Sequence, residues 1–294
     1  MLESFHPNVM ALLSAFFISV ARTLYRGALM SLSPLVTTVI ATIITTIFAL
    51  GLYAMGEGLD HWPLYGVLWF VLVGTVGGLG GRYMGMISIK LIGLARTPIL
   101  TQTGLIWSSG LAVILLGETL TPLVTVGTLG IMAGGVLLLY DKKATQRRVP
   151  LTYYLIPVAG AAFASISHIV RKYGFVHIPS VTLGMGVSNM TTLTLLLASA
   201  FFFPTLQMKS SPFTRHSLLI TSLGAACNFL AAFFFWWAIK DGEVIQVVPI
   251  NRLSILIVIL FSWLFFRKQE RVSAQVIIGG ACSVLGAWAV VWGK

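Results

Sequence analysis

Apolar windows of membrane-spanning length recur along the whole chain. They run over about 8–25, 32–54, 64–89, 97–116, 122–140, 152–170, 180–203, 217–239, 243–266 and 273–292, each bounded by charge, Gly or Pro. A helix rises ~1.5 Å per residue, so roughly 20 such residues cross a hydrocarbon core ~30 Å thick. The pattern predicts ten transmembrane helices with short connections, the longest polar one being "DKKATQRRVP" at 141–150. The first window follows Glu3, lacks a basic stretch before it and runs on into further windows, so it reads as a retained span and not a cleaved signal.

One window carries a charge inside it. In "KDGEVIQVVPINRLSILIVILFSWLFFRKQE", residues 240–270, Arg252 is the only charge among the 23 residues between Glu243 and Arg267. A charge at mid-bilayer costs roughly 2.5–3.5 kcal/mol on insertion scales unless it meets water, a partner or a ligand. Arg252 is therefore expected to face inward. Gln246, Pro249 and Arg252 form an i, i+3 stripe with Asn251 beside it, and Pro249 leaves a carbonyl without its helical donor, tolerable where polar groups meet it. Either Arg252 holds a ligand or it pairs with a carbonyl or carboxylate inside the bundle. No carboxylate falls at its depth in any window.

The chain also repeats itself. Arg26, Pro34 and Thr37 fall on Arg171, Pro179 and Thr182 at an offset of 145. Gly74 and Lys90 fall on Gly224 and Lys240 at 150, and Glu118, Gly127 and Gly134 fall on Glu270, Gly279 and Gly286 at 152. An offset that only grows is what small loop insertions produce. Each half, 1–145 and 146–294, then holds five spans, and an odd number makes the second half enter the membrane inverted.

"GLARTPILTQTGLIWSSGLAVILLGETLTPLVTVGTLGIMAGGVLLL" in the first half and "AIKDGEVIQVVPINRLSILIVILFSWLFFRKQERVSAQVIIGGACSVLGAWAVV" in the second resemble the EamA-type half-domains of the drug/metabolite transporter superfamily. The shared pattern is a long apolar helix ending in Glu118 or Glu270, a tight turn, and a Gly-bearing last helix. The resemblance covers essentially the whole chain. It implies an all-α integral membrane protein, ten helices in two inverted five-helix repeats around a central cavity, lined mainly by spans 1, 3, 4, 6, 8 and 9. The chain departs from relatives in carrying Pro98 and Pro249 near the starts of spans 4 and 9 instead of their middles.

Other embedded polar residues are candidates for the same cavity. Thr101, Gln102 and Thr103 lie at the depth in span 4 that Arg252 has in span 9. Arg82 sits in the glycine-rich "VGTVGGLGGRYMGM", where Gly permits close helix approach or bending; it faces either the cavity or the interface. His168 is either a satisfied bundle histidine or a proton-coupling group. Asn228 and Trp236 could share the cavity from span 8, Trp236 being equally suited to anchor at the interface. Arg22, Arg26, Arg171 and Lys172 end their windows and are expected to reach head groups. Cys227 and Cys282 read as small apolar packing residues.

Composition narrows the function. With 57% hydrophobic and 9% charged residues, against about 25% charged in a soluble domain, no soluble fold could cover its surface. The net charge of +11 is carried mainly by loops at bilayer surfaces, where anionic lipids attract each basic residue by about 1 kcal/mol, so the expected partners are membrane lipids and a small-molecule substrate, not nucleic acid. Most Lys and Arg follow odd-numbered spans, among them Arg26, Lys90, Arg96, Lys142 and Lys143, whereas Arg171, Lys172, Lys240 and Lys294 follow even ones. The positive-inside bias then places both termini outside the cytoplasm, of the inner membrane if the source is bacterial. The scattered histidines have no metal-ligand spacing; no metal or cofactor is expected, and a membrane-embedded enzyme is disfavoured. The spans hold no Asp or Glu beyond their ends at Glu118, Asp241 and Glu243, which excludes proton-for-cation exchange through a first-helix carboxylate. An arginine without an acidic rival suits a carboxylate or phosphate. The expectation is a secondary transporter, exporter or exchanger, of a small metabolite such as an amino acid or other acid, acting as monomer or homodimer, with a lipid-linked sugar or polyprenyl phosphate flippase as the alternative.

Overall fold

The computed structural model describes residues 6–56, 62–94, 96–139, 150–202, 214–265 and 274–293. The boundary expected at 145/146, the basic residues of the 141–149 connection and the Glu270 turn lie outside them. The described residues are helical throughout, in the order α1 (Pro7–Ala28), α2 (Pro34–Gly56), α3 (Leu64–Ile92), α4 (96–116), α5 (Pro122–Leu139), α6 (Leu151–His177), α7 (Val181–Phe202), α8 (Arg215–Asp241), α9 (Val244–Asn251), α10 (Ser254–Phe265) and α11 (Ala274–Trp292). Six of these, α1, α2, α3, α6, α7 and α8, are long and apolar enough to cross a membrane, and α4, α5 and α9 run as shorter apolar helices.

Local chemistry explains the starts and stops. α1 opens on Pro7 with His6 accepting from the Asn8 N–H, and α8 opens on a reciprocal Thr214–Ser217 box, both satisfying N–H groups that a first turn leaves unpaired. Gly117 ends α4 at φ +68°, a left-handed stop that glycine adopts without steric cost. The hydroxyls of α2 are silenced within the helix: Thr38, Thr42 and Thr46 each donate to the carbonyl four residues earlier, at 2.6–2.7 Å. A hydroxyl so engaged can lie in an apolar bundle without an unsatisfied polar atom.

α1 packs along α8, α2 along α7, α5 along α11, and α3 against both α6 and α7. α6 also meets α4, as α1 meets α9 and α10. Glycine sets the closest approach: a Cβ on Gly78 of α3 would lie 1.9 Å from Thr192 Oγ1 of α7, and one on Gly74 would lie 2.3 Å from the Ser188 carbonyl. Around Gly74–Tyr83 the helix widens to π geometry. The glycine-rich stretch thus does both things expected of it, approach and distortion.

Two helices lose α geometry at one corresponding point. α4 tightens to a 3₁₀ turn over Thr101–Thr103, and the path from α9 into α10 breaks at Arg252 and Leu253. Span 9, expected to be continuous, is interrupted because Pro249 has no N–H to give and the Arg252 N–H is shared between the Val248 and Pro249 carbonyls, at 3.1 and 3.0 Å.

Candidate functional site

A cavity of about 260 Å³ opens among α1, α3, α6, α7, α8 and the end of α9. α4, expected to line it, contributes no residue to this wall, and α7 contributes Ser188. Three arginines line the wall, Arg22 of α1, Arg82 of α3 and Arg171 of α6, together with His168, Tyr25, Asn228, Trp236 and Asn251. No Asp or Glu is among the lining residues.

Each arginine is held differently. Arg82 donates from Nη1 to Asn189 Oδ1 at 3.0 Å and lies 3.4 Å from Thr42 Oγ1, which resolves its two readings in favour of the cavity. Arg171 is 6% exposed. Its guanidinium carbon stands 4.0 Å over the Trp236 ring and 5.7 Å from that of Phe235, a cation–π arrangement that steadies a charge in an apolar wall. Its Nη1 lies 3.5 Å from His168 Nδ1. Since arginine can only donate, that contact needs an acceptor at Nδ1, and the ring proton belongs on Nε2. Arg22 makes no hydrogen bond to a described residue.

Arg22 and Arg171, expected among head groups, are corrected here: both stand on the cavity wall. α1 continues to Ala28 and α6 to His177, so each arginine lies well inside a helix whose apolar window stops beside it. Lys172, next in sequence, does reach an end of the bundle, where it donates to the Gly242 carbonyl.

The arginine of the ninth window occupies a different place. Arg252 lies outside the cavity wall, with Nη2 packed so near α4 that a Cβ on Gly104 would come within 2.9 Å of it. It stays within electrostatic reach of Arg22 and His168, both of which do line the cavity. Among the described residues it makes no side-chain hydrogen bond, so the carbonyl or carboxylate partner of the packing alternative is not found there. Asn251 does line the cavity, but its amide is engaged, donating to Ser14 Oγ at 2.8 Å and lying 3.4 Å from the Ala11 carbonyl. Gln246 is buried away from the cavity. Gln102 is 4% exposed, and neither amide atom has a hydrogen-bond partner; Thr101 precedes it in the 3₁₀ turn, and both lie outside the cavity wall.

The structure therefore brings together Arg82, His168, Asn228, Trp236 and Asn251 on the wall and leaves Arg252, Thr101, Gln102 and Gln246 outside it. Sequence reading missed Arg22, Arg171 and Tyr25. The repeat gave no signal for them, since it matches Arg171 to Arg26, which donates to the Ile89 carbonyl and lies outside the cavity wall. No His, Cys, Asp and Glu among the described residues cluster as metal ligands.

A search of curated proteins returns no match. One solved crystal structure shares 21% identity, covers 97% of this chain and 96% of its own, and superposes with a TM-score of 0.74; at that identity the likeness speaks to the fold. The model of the EamA-like transporter family matches residues 7–140 and again 151–292. Apolar helices of spanning length, short connections and a polar cavity inside the bundle fit that assignment: the chain is a multi-pass integral membrane protein and belongs to the EamA-like transporter family of the drug/metabolite transporter superfamily.

Proposed function

We propose that this transporter of small solutes carries a small organic anion, bearing a carboxylate or phosphate, and binds it in the arginine-walled cavity. The observation that carries the reading is Arg22, Arg82 and Arg171 on one wall with no acidic side chain among them. Buried guanidiniums without counter-charge are costly, and an anion offsets that cost by bidentate contact. A cationic drug has no partner here, and the ammonium of an amino acid would meet only positive charge, so a net anion is favoured over a zwitterion. The cavity of about 260 Å³ sits just under the ~300–1,000 Å³ of drug-sized pockets, which suits a small metabolite better than a lipid-linked sugar.

The architecture supports alternating access by two inverted five-helix halves. The family model matches twice, over 7–140 and 151–292. Exchanging α1 with α6, α2 with α7, α3 with α8 and α4 with α9–α10 turns each major contact into another: α1–α8 becomes α6–α3, and α2–α7 and α5–α11 map onto themselves. Paired helix breaks at 101–103 and 252–253 are the kind that transporters place at mid-membrane sites. The test is uptake into liposomes holding the purified protein, across monocarboxylates, dicarboxylates, phosphate esters, amino acids and cations. Saturable uptake of acids that is lost in Arg171→Gln is expected; uptake of cations alone would refute it.

A further inference from the structure

The cavity holds more positive charge than one acidic group can answer. Arg22, Arg82 and Arg171 line it, Arg252 lies within electrostatic reach of Arg22, and no carboxylate is among the lining residues. A monoanion would leave at least two guanidiniums uncompensated in a bundle where charge–charge repulsion is weakly screened.

Two buried polar groups on the wall also lack partners. Tyr25, 2% exposed, has a hydroxyl with no hydrogen bond, and Arg171, 6% exposed, has an unpartnered Nε. Each such atom costs free energy when buried unsatisfied, and both residues belong to the cavity wall. Arg82, pinned by Asn189, supplies a fixed charge acting on both Tyr25 and Arg171. That is one receiving end. The other is Arg22, which hydrogen-bonds no described residue and has Arg252 within electrostatic reach. Arg22 and Tyr25 sit three residues apart on α1, successive positions along one helix face.

We propose that the solute is short and carries two separate acidic groups, one received by Arg171 and Tyr25 beside Arg82, the other by Arg22, with Arg252 adding its charge from outside the wall. This rests on the anion reading above and names its class. Trp236, its face under Arg171, closes the first end and fixes the plane in which that guanidinium presents its donors.

The experiment measures ligand-dependent melting of the purified full chain in detergent with matched pairs: butyrate and succinate, glycolate and 2-phosphoglycolate. The first pair adds a carboxylate, giving a dianion, and the second a phosphate, giving nearly three charges, so the arms separate the two sources of the second acidic group. In at least one pair the doubly acidic member is expected to act at about tenfold or more lower concentration, the worth of one charge-assisted contact. In Arg22→Gln the potency ratio between the two members of that pair, measured on the same preparation, should fall to about one, and Arg252→Gln, used if Arg22→Gln does not fold, should lower the same ratio. Equal potency of the singly and doubly acidic members, both active, overturns the two-ended site and leaves the anion reading standing. Inactivity of all four overturns both. An advantage of the doubly acidic member that survives both variants overturns the assignment of the second end.

Discussion

A lone arginine in a membrane-spanning helix is a question about partners. Arg252 lies against Gly104 of α4, makes no side-chain hydrogen bond among the described residues and stands near Arg22. A structural arginine would hold something, so Leu in its place would strand that partner and lower stability. Here the reverse is expected: Arg252→Leu melts at the same or a higher temperature, since a buried, like-charged neighbour is removed, while transport is abolished. Arg252→Lys keeps the charge but loses the planar fork, and transport should weaken without unfolding. Melting temperature and uptake measured on the same preparations separate the roles. Normal uptake by folded Arg252→Leu would remove Arg252 from the binding machinery.

Helix ends carry the next level of organisation. Gly117 turns the chain out of α4 so that Glu118 reaches the first turn of α9, accepting from the Val244 and Ile245 N–H groups at 3.0 and 2.9 Å. A carboxylate there satisfies orphan donors and complements the positive end of the helix. Nearby, the Tyr173 hydroxyl donates to the Leu115 carbonyl at 2.5 Å, and Lys172 donates to the Gly242 carbonyl. These bonds tie α4, α6, α8 and α9 together at one end of the bundle. Glu118→Ala should destabilise the protein by about 1–2 kcal/mol, the usual cost of losing a cap, and Glu118→Gln by less, because one acceptor oxygen remains. Thermal melting of the two variants beside the parent checks the order, and an unchanged melting temperature for Ala would mean that the clamp is idle.

Over the whole molecule the basic residues give a direction. With Arg22, Arg82, Arg171 and Arg252 assigned to the interior, the surface bias is carried by residues such as Arg26, Lys90 and Arg96 on one side against Lys172 and Lys240 on the other. From that bias the positive-inside tendency predicts a carboxyl-terminal end outside the cytoplasm. A reporter fused after Lys294 that fluoresces only in the cytoplasm should stay dark, and a bright signal would reverse the orientation.

The chain by itself determined the solvent it folds in. Its apolar windows coincide with helices from α1 to α11, since a backbone in lipid must satisfy its own hydrogen bonds and a helix does so locally. The glycines of α3 and the polar residues at 101–103 and 249–252 were also legible, being exceptions inside otherwise apolar runs. The wall of the cavity was not. Charged residues near the edge of an apolar window read as helix ends, as Arg22 and Arg171 do, whereas α1 and α6 run on past them to Ala28 and His177. Whether a charge beside an apolar run meets head groups or a cavity depends on which helices stand around it. Trp236 of α8 under Arg171, and Asn189 of α7 beside Arg82, come from distant parts of the chain, and only their packing makes one binding wall of them.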